Sequence, residues 1–222
     1  MSKNDALVRF NIKNAKWALK LEDGKYEVPK SYGKISRKIA IEADSNTKKI
    51  FGDGECQAYI INDKGKSVVL TTNTLNNEFE QDMGRKMETA KGIASIKQQK
   101  VPTFALYFET EGVMPDGRMG ILAKSWLYGM KSPTAPSESF EQTTDDINET
   151  VYETSFEASG EILKDADGKE YKDEKTKCPV RVWLLTSTPD MPDFDTFGDT
   201  VVMPTMRDTK AETTTPNTAE GE

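Results

Sequence analysis

The sequence predicts a mainly β protein, an antiparallel β-sandwich or barrel with one short packed helix. Three observations carry that expectation. Apolar and polar residues alternate with a period of two through much of the chain, these runs are rich in β-branched and aromatic residues, and one segment alone switches to a helical period. At 222 residues and 36% hydrophobic content, the chain can bury a proper core without being lavishly apolar. The reading is one β domain over residues 1–204 and a disordered tail over residues 205–222.

In chain order, the first strong signal is Ile35-Ser-Arg-Lys-Ile-Ala-Ile-Glu-Ala43, whose odd positions are mostly apolar, as in a half-buried strand. A polar stretch over residues 44–55 follows and reads as a long loop. Cys56 to Ile61 and Ser67 to Thr72 read as strands joined by a tight turn at Asp63-Lys-Gly65. Leu75, Phe79 and Met83 then recur at i, i+4 and i+8, with Thr74 placed to cap and Gly84 to stop a short amphipathic helix. Phe104, Leu106 and Phe108 share one face of a strand, opposite Tyr107 and Glu109, and Met119 to Tyr128 forms another.

Residues 131–148 hold two prolines and several hydroxyl residues, which forbid a continuous ladder and predict a second long loop. Val151 to Ala158 and Val180 to Thr186 are further strands. Between them Asp167-Gly168 predicts a hairpin turn inside Ile162 to Tyr171. Asp165-Ala-Asp167-Gly168 also hints at a calcium loop, but its glycine falls two positions early and no apolar helix flanks it, so the hairpin is preferred. From Thr205 onward Thr, Glu, Asn and Pro dominate and no large apolar residue follows Met206, so ordering would return little burial.

Composition narrows the chemistry. The chain has no histidine, which removes Ser-His-Asp and Cys-His catalysis and every histidine-containing zinc site. Its two cysteines, Cys56 and Cys178, lack C-x-x-C spacing and read as buried thiols rather than a disulfide. No phosphate-binding glycine motif occurs; Gly52-Asp-Gly54 reads as a turn. Asn148-Glu-Thr150 is a chance sequon, and Asp145-Asp146 a solvated pair. No catalytic, cofactor or metal residues are assigned, and no enzyme is expected. Thirty Lys and Arg against 37 Asp and Glu give a net charge of −7, which argues against tight nucleic-acid binding. Neither an apolar signal segment nor a membrane anchor is expected.

Two features remain. Glu149, Glu153, Glu157 and Glu161 fall on one parity of an extended chain; the simplest account is a water-facing side of a sheet, the alternative a specialised acidic lining. Ile50-Phe51 sits in the polar 44–55 stretch, where two large apolar side chains either fold back onto the core or dock on a neighbour.

The run Lys34-Ile-Ser-Arg-Lys-Ile-Ala-Ile-Glu-Ala-Asp-Ser-Asn-Thr-Lys-Lys-Ile-Phe-Gly-Asp-Gly-Glu-Cys56 resembles the strand, long polar loop and return strand of major tail proteins of long-tailed bacteriophages. The Leu75 to Gly84 helix, the Phe104 to Phe108 and Met119 to Tyr128 strands, and Glu153-Thr-Ser-Phe-Glu-Ala158 extend the likeness over Lys34 to Thr186. The resemblance implies a tail-tube subunit similar to the inner tube of type VI secretion systems. Such a subunit forms hexameric rings that stack into a conduit for double-stranded DNA, with tape-measure, tail terminator and distal tail proteins as partners and no cofactor. It would be assembled in the bacterial host cytoplasm and carried in the virion tail. It would give Lys48, Lys49, Ile50 and Phe51 an inter-ring role. Glu153 and Glu157 become candidates for the channel lining, since carboxylates repel phosphate where lysines would trap it. The rival expectation is a monomeric β-sandwich binding or adhesion module whose acidic face is merely solvated.

Overall fold

A computed structural model describes residues 8–34, 36–52, 55–98, 100–113, 117–137, 151–165 and 167–206, with backbone alone for 8–10, 45–52 and 55–64. The described residues are mainly β, antiparallel, with one short helix. In chain order the strands are β1 (Val8–Leu19), β2 (Lys30–Ser31), β3 (Ser36–Gly52) and β4 (Glu55–Thr72), followed by helix α1 (Asn77–Asp82). A small hairpin, β5 (Lys86–Thr89) and β6 (Gly92–Ser95), precedes the long strands β7 (Thr103–Val113) and β8 (Met119–Lys131). The chain ends in β9 (Tyr152–Ala158), β10 (Glu161–Ile162), β11 (Arg181–Val182) and β12 (Leu184–Ser187).

Seven strands hydrogen-bond in the order β2-β1-β7-β8-β9-β4-β3, and β12 adds to β8. The sheet curls until β1 approaches β3 without a ladder between them, leaving a cleft lined by Ile12, Lys13, Asn14, Gly33, Lys34 and Ser36. Inside the curl lies the main core. Trp17, Leu70, Phe104, Leu106, Leu127, Met130 and Phe156 are buried there with Phe79 of α1 and Met83, which ends the helix. Phe79 is its hub, with ring centroids 5.4 Å from Trp17, 5.5 Å from Phe104 and 6.1 Å from Phe156, all edge-on; such pairs add about 0.5–1.5 kcal/mol each beyond burial.

Helix α1 covers the core as its spacing predicts, but Asn76 rather than Thr74 is the cap. Its Oδ1 accepts from the Phe79 amide at 3.0 Å, and Gly84 turns the chain out at φ +68°. The Trp17 indole donates to Asp82 at 2.8 Å. Glu80 and Arg85 are buried together, with Nε and Nη2 of Arg85 donating to the carboxylate at 2.7 and 2.8 Å. Nη1 reaches on to Ser132 Oγ at 2.6 Å and the Thr134 carbonyl at 2.8 Å, tying the helix to the segment after β8.

A second core covers the outer face of β7 and β8: Tyr107, Trp126 and Tyr128 pack under Phe197. Trp126 Nε1 donates to the Phe197 carbonyl at 2.9 Å, and Tyr128 donates to the Val202 carbonyl. The half-buried strand expected at Phe104 to Glu109 is therefore covered on both faces; even Glu109 is buried, accepting from Tyr107 at 2.8 Å and Asn14 at 2.6 Å. Burial holds the hydroxyls of Tyr26, Tyr32, Tyr107 and Tyr128 above their ordinary pKa, with Glu161 beside Tyr26 and Glu109 beside Tyr107 acting in the same direction.

Several expectations fail for identifiable reasons. The 44–55 stretch is no loop: it is laddered from Asp44↔Gly65 to Gly52↔Glu55. Asp63-Lys-Gly65 is not a hairpin turn but a bulge inside β4, where the register steps from Asp44↔Gly65 to Ser45↔Asp63. Among the described side chains of β3, Ile39 packs against the core, while Ile41 is exposed. Val180 to Thr186 is broken at Trp183 into β11, paired with β10, and β12, paired with β8. Cys178 is exposed and unbridged rather than buried; the side chain of Cys56 lies outside the described residues.

At Asp165 the chain does turn tightly, with the Gly168 amide donating to the Asp165 carbonyl at 3.0 Å and Gly168 at φ +80°. Thr205 and Met206, assigned to the tail, still bridge to Lys164. Residues 207–222 and 138–150, which hold the rest of the second loop with Asp145, Asp146 and the Asn148 sequon, lie outside the described residues, as does the Asp53-Gly54 turn.

Candidate assembly surfaces

The ribbon formed by β3 and β4 is longer than the sheet that carries it. β9 pairs β4 only from Thr72↔Tyr152 to Lys66↔Ala158, whereas β3 continues to pair β4 out to Gly52↔Glu55. Beyond Gly65, then, the described ladder has two strands and both outer edges are unpaired. A two-stranded ribbon is marginal in water by itself, and unpaired strand edges are templates for further pairing. Lys48, Lys49, Ile50 and Phe51 lie on this outer part, in register with Ile60, Tyr59, Ala58 and Cys56, with a step between Ile50 and Phe51.

The ribbon's root is fixed by close backbone packing. Gly65, at φ +112°, sits so near β9 that a Cβ there would lie 2.2 Å from the Ala158 carbonyl oxygen. Gly160, at φ +72°, is equally tight: its Cβ would meet the Val182 carbonyl oxygen at 2.9 Å and the Trp183 ring at 3.0 Å. Lys66 holds its ammonium 5.3 Å from the centre of the Trp183 ring. The sequence contains these glycines, but nothing in their spacing ties them to Trp183, which lies in what reads as an unbroken strand.

The acids divide. Glu153, Ser155 and Glu157 of β9 face out, while Thr154, Phe156 and Ala158 are buried, as expected of a strand with one watery face. Glu161 leaves that face: the backbone turns at Gly160, and its carboxylate is buried against Lys20 and accepts from the Tyr26 hydroxyl at 2.7 Å. Glu149 lies outside the described residues. Among the described residues no three His, Cys, Asp or Glu side chains are grouped to hold a metal ion, and no helix is long and apolar enough to cross a membrane.

No protein-family profile matches the sequence, and no curated protein matches it. The fold resembles a chain of the anti-feeding prophage baseplate, solved by cryo-electron microscopy with six-fold symmetrisation, at a TM-score of 0.41 and 8% identity, over 72% of this chain and 94% of that one. A likeness that low in both measures carries no argument about family or role.

Proposed function

We propose that the protein is a non-enzymatic structural subunit of a phage-tail-like particle, a tail-tube protein whose copies join into hexameric rings stacked as a conduit for double-stranded DNA. The observation that carries this reading is the β3–β4 ribbon, laddered to its tip yet paired with no third strand beyond Gly65 among the described residues. Its outer edges are satisfied by a neighbouring copy, and a heterologous contact of that kind closes into rings. The resemblance of Lys34 to Thr186 to major tail proteins supports the same reading. Lys48, Lys49, Ile50 and Phe51 are then contact residues between rings. Tape-measure, tail terminator and distal tail proteins are further partners, in a virion tail built in the bacterial cytoplasm.

Glu153 and Glu157, exposed on the same face of β9 with Ser155 between them, line the channel in this proposal, where like charge keeps the duplex from sticking. Negative-stain electron microscopy of the purified chain tests the reading: rings or tubes are expected, and uniformly single particles at high concentration contradict it in favour of a monomeric binding module. In an assembled particle, Glu153→Lys with Glu157→Lys is expected to slow DNA release while leaving tubes intact; unchanged release removes the lining role.

A further inference from the structure

Beside the ribbon's root lies a groove of about 310 Å3 lined by Ile41, Leu127, Trp183 and Leu184 together with two cations, Lys66 and Arg181. Ile41 and Leu184 are 39% and 42% exposed, so large aliphatic side chains stand in water around a concave site. Its volume is at the lower end of clefts that take a small organic ligand, about 300–1,000 Å3, and so is ample for two side chains. The chain's own ribbon starts here and leads away. From Gly65 to Glu55, β4 advances ten residues (65 − 55), roughly 33 Å at about 3.3 Å per residue, so the tip cannot return to the groove of its own chain. At that tip the sequence reads Ile50-Phe51-Gly52-Asp53-Gly54-Glu55: two large apolar residues, then two carboxylates. An apolar pair followed by two acids is the complement of an apolar groove that carries two cations.

We propose that this groove receives the ribbon tip of a second copy of the chain, the segment 50–55, whose apolar residues and two carboxylates match the groove's apolar lining and its two cations, Lys66 and Arg181. The inference rests on the self-assembly proposed above and names the surface that accepts the ribbon. Tip and groove are different patches, so the contact is heterologous and propagates from copy to copy instead of stopping at a two-fold dimer.

The test uses the full chain and reads the assembled fraction by sedimentation velocity. Leu184→Glu and Arg181→Glu, both at exposed positions, are each expected to lower that fraction at least tenfold at a concentration where the unmodified chain assembles, with circular dichroism unchanged. Glu55→Arg is expected to weaken assembly by itself and to restore it when combined with Arg181→Glu, a rescue that misfolding cannot imitate. A photo-crosslinking residue in place of Phe51 provides a readout independent of those variants, and a crosslinked dimer whose joined peptide contains Trp183 is expected. If the unmodified chain assembles but the groove variants assemble equally well, or the crosslink falls elsewhere, the groove is not the receiver and self-assembly stands without it. If the unmodified chain never assembles, both proposals fall.

Discussion

The β7–β8 pair and the outer β3–β4 ribbon are both long antiparallel hairpins, yet they obtain their stability from opposite sources. β7 and β8 are flanked by β1 on one side and by β12 and β9 on the other, and are covered by a core on each face. The ribbon beyond Gly65 has no third strand among the described residues. The difference teaches that the two described cores are built without the outer ribbon, and in the function proposed above the ribbon's length answers to a neighbouring copy. Perturbing each in turn separates the two.

The largest effect is expected in the doubly covered pair. Trp126→Ala removes a fully buried indole and its bond to Phe197 and is expected to cost about 3–5 kcal/mol in denaturant unfolding. Glu80→Ala belongs to the same class, because it leaves the Arg85 guanidinium buried without its carboxylate; about 3–5 kcal/mol is expected. At the junction, Gly65→Ala must displace the Ala158 carbonyl and hold an L side chain at φ +112°, which is expected to cost about 1–3 kcal/mol and to alter the ribbon's angle. A change near zero there would break the contrast, by showing that the root is loose.

Alkaline pH sharpens the contrast more gently. Burial keeps Tyr26, Tyr32, Tyr107 and Tyr128 protonated in the folded protein, whereas in the unfolded chain they ionise near about pH 10. The folded state therefore binds more protons above that pH. The associated stability is fully present below about pH 10 and is lost as pH rises beyond it, visible as a falling denaturant midpoint. Least of all, Asn76→Ala removes the α1 cap and is expected to cost about 1 kcal/mol.

The same contrast explains what the sequence could disclose. Strands that bury one face announce themselves: β9, with Thr154, Phe156 and Ala158 inward, and α1, with Phe79 and its C-cap Met83, are legible from period alone. The ribbon is not, because its Asp44 to Gly54 segment is polar and reads as a loop, although its backbone is laddered from Asp44 to Gly52. Hairpin β5–β6, with Met87 and Ile93 exposed, is missed as well. β1 escapes because Asn11 and Asn14 take positive φ at its register shifts and upset the alternation. Parity discloses that Glu153 and Glu157 face outward, but it misplaces Glu161, because the backbone turns at Gly160 and buries that carboxylate. The Trp183 groove depends on contacts among β3, β4, β8, β11 and β12 that no linear pattern encodes.

Shortening the ribbon tests the central claim most directly. Replacing residues 47–61 by Asn-Gly joins Asn46 to Asn62, which already face each other in the ladder, through a two-residue turn. Both chains are then measured by denaturant unfolding and sedimentation velocity. Below the concentration at which the full chain assembles, unfolding free energies within about 0.5 kcal/mol of each other are predicted; at high concentration the full chain is predicted to sediment as large particles and the shortened one as a monomer. A full chain that stays at 24.8 kDa however concentrated, or a shortened chain that assembles equally well, contradicts the account.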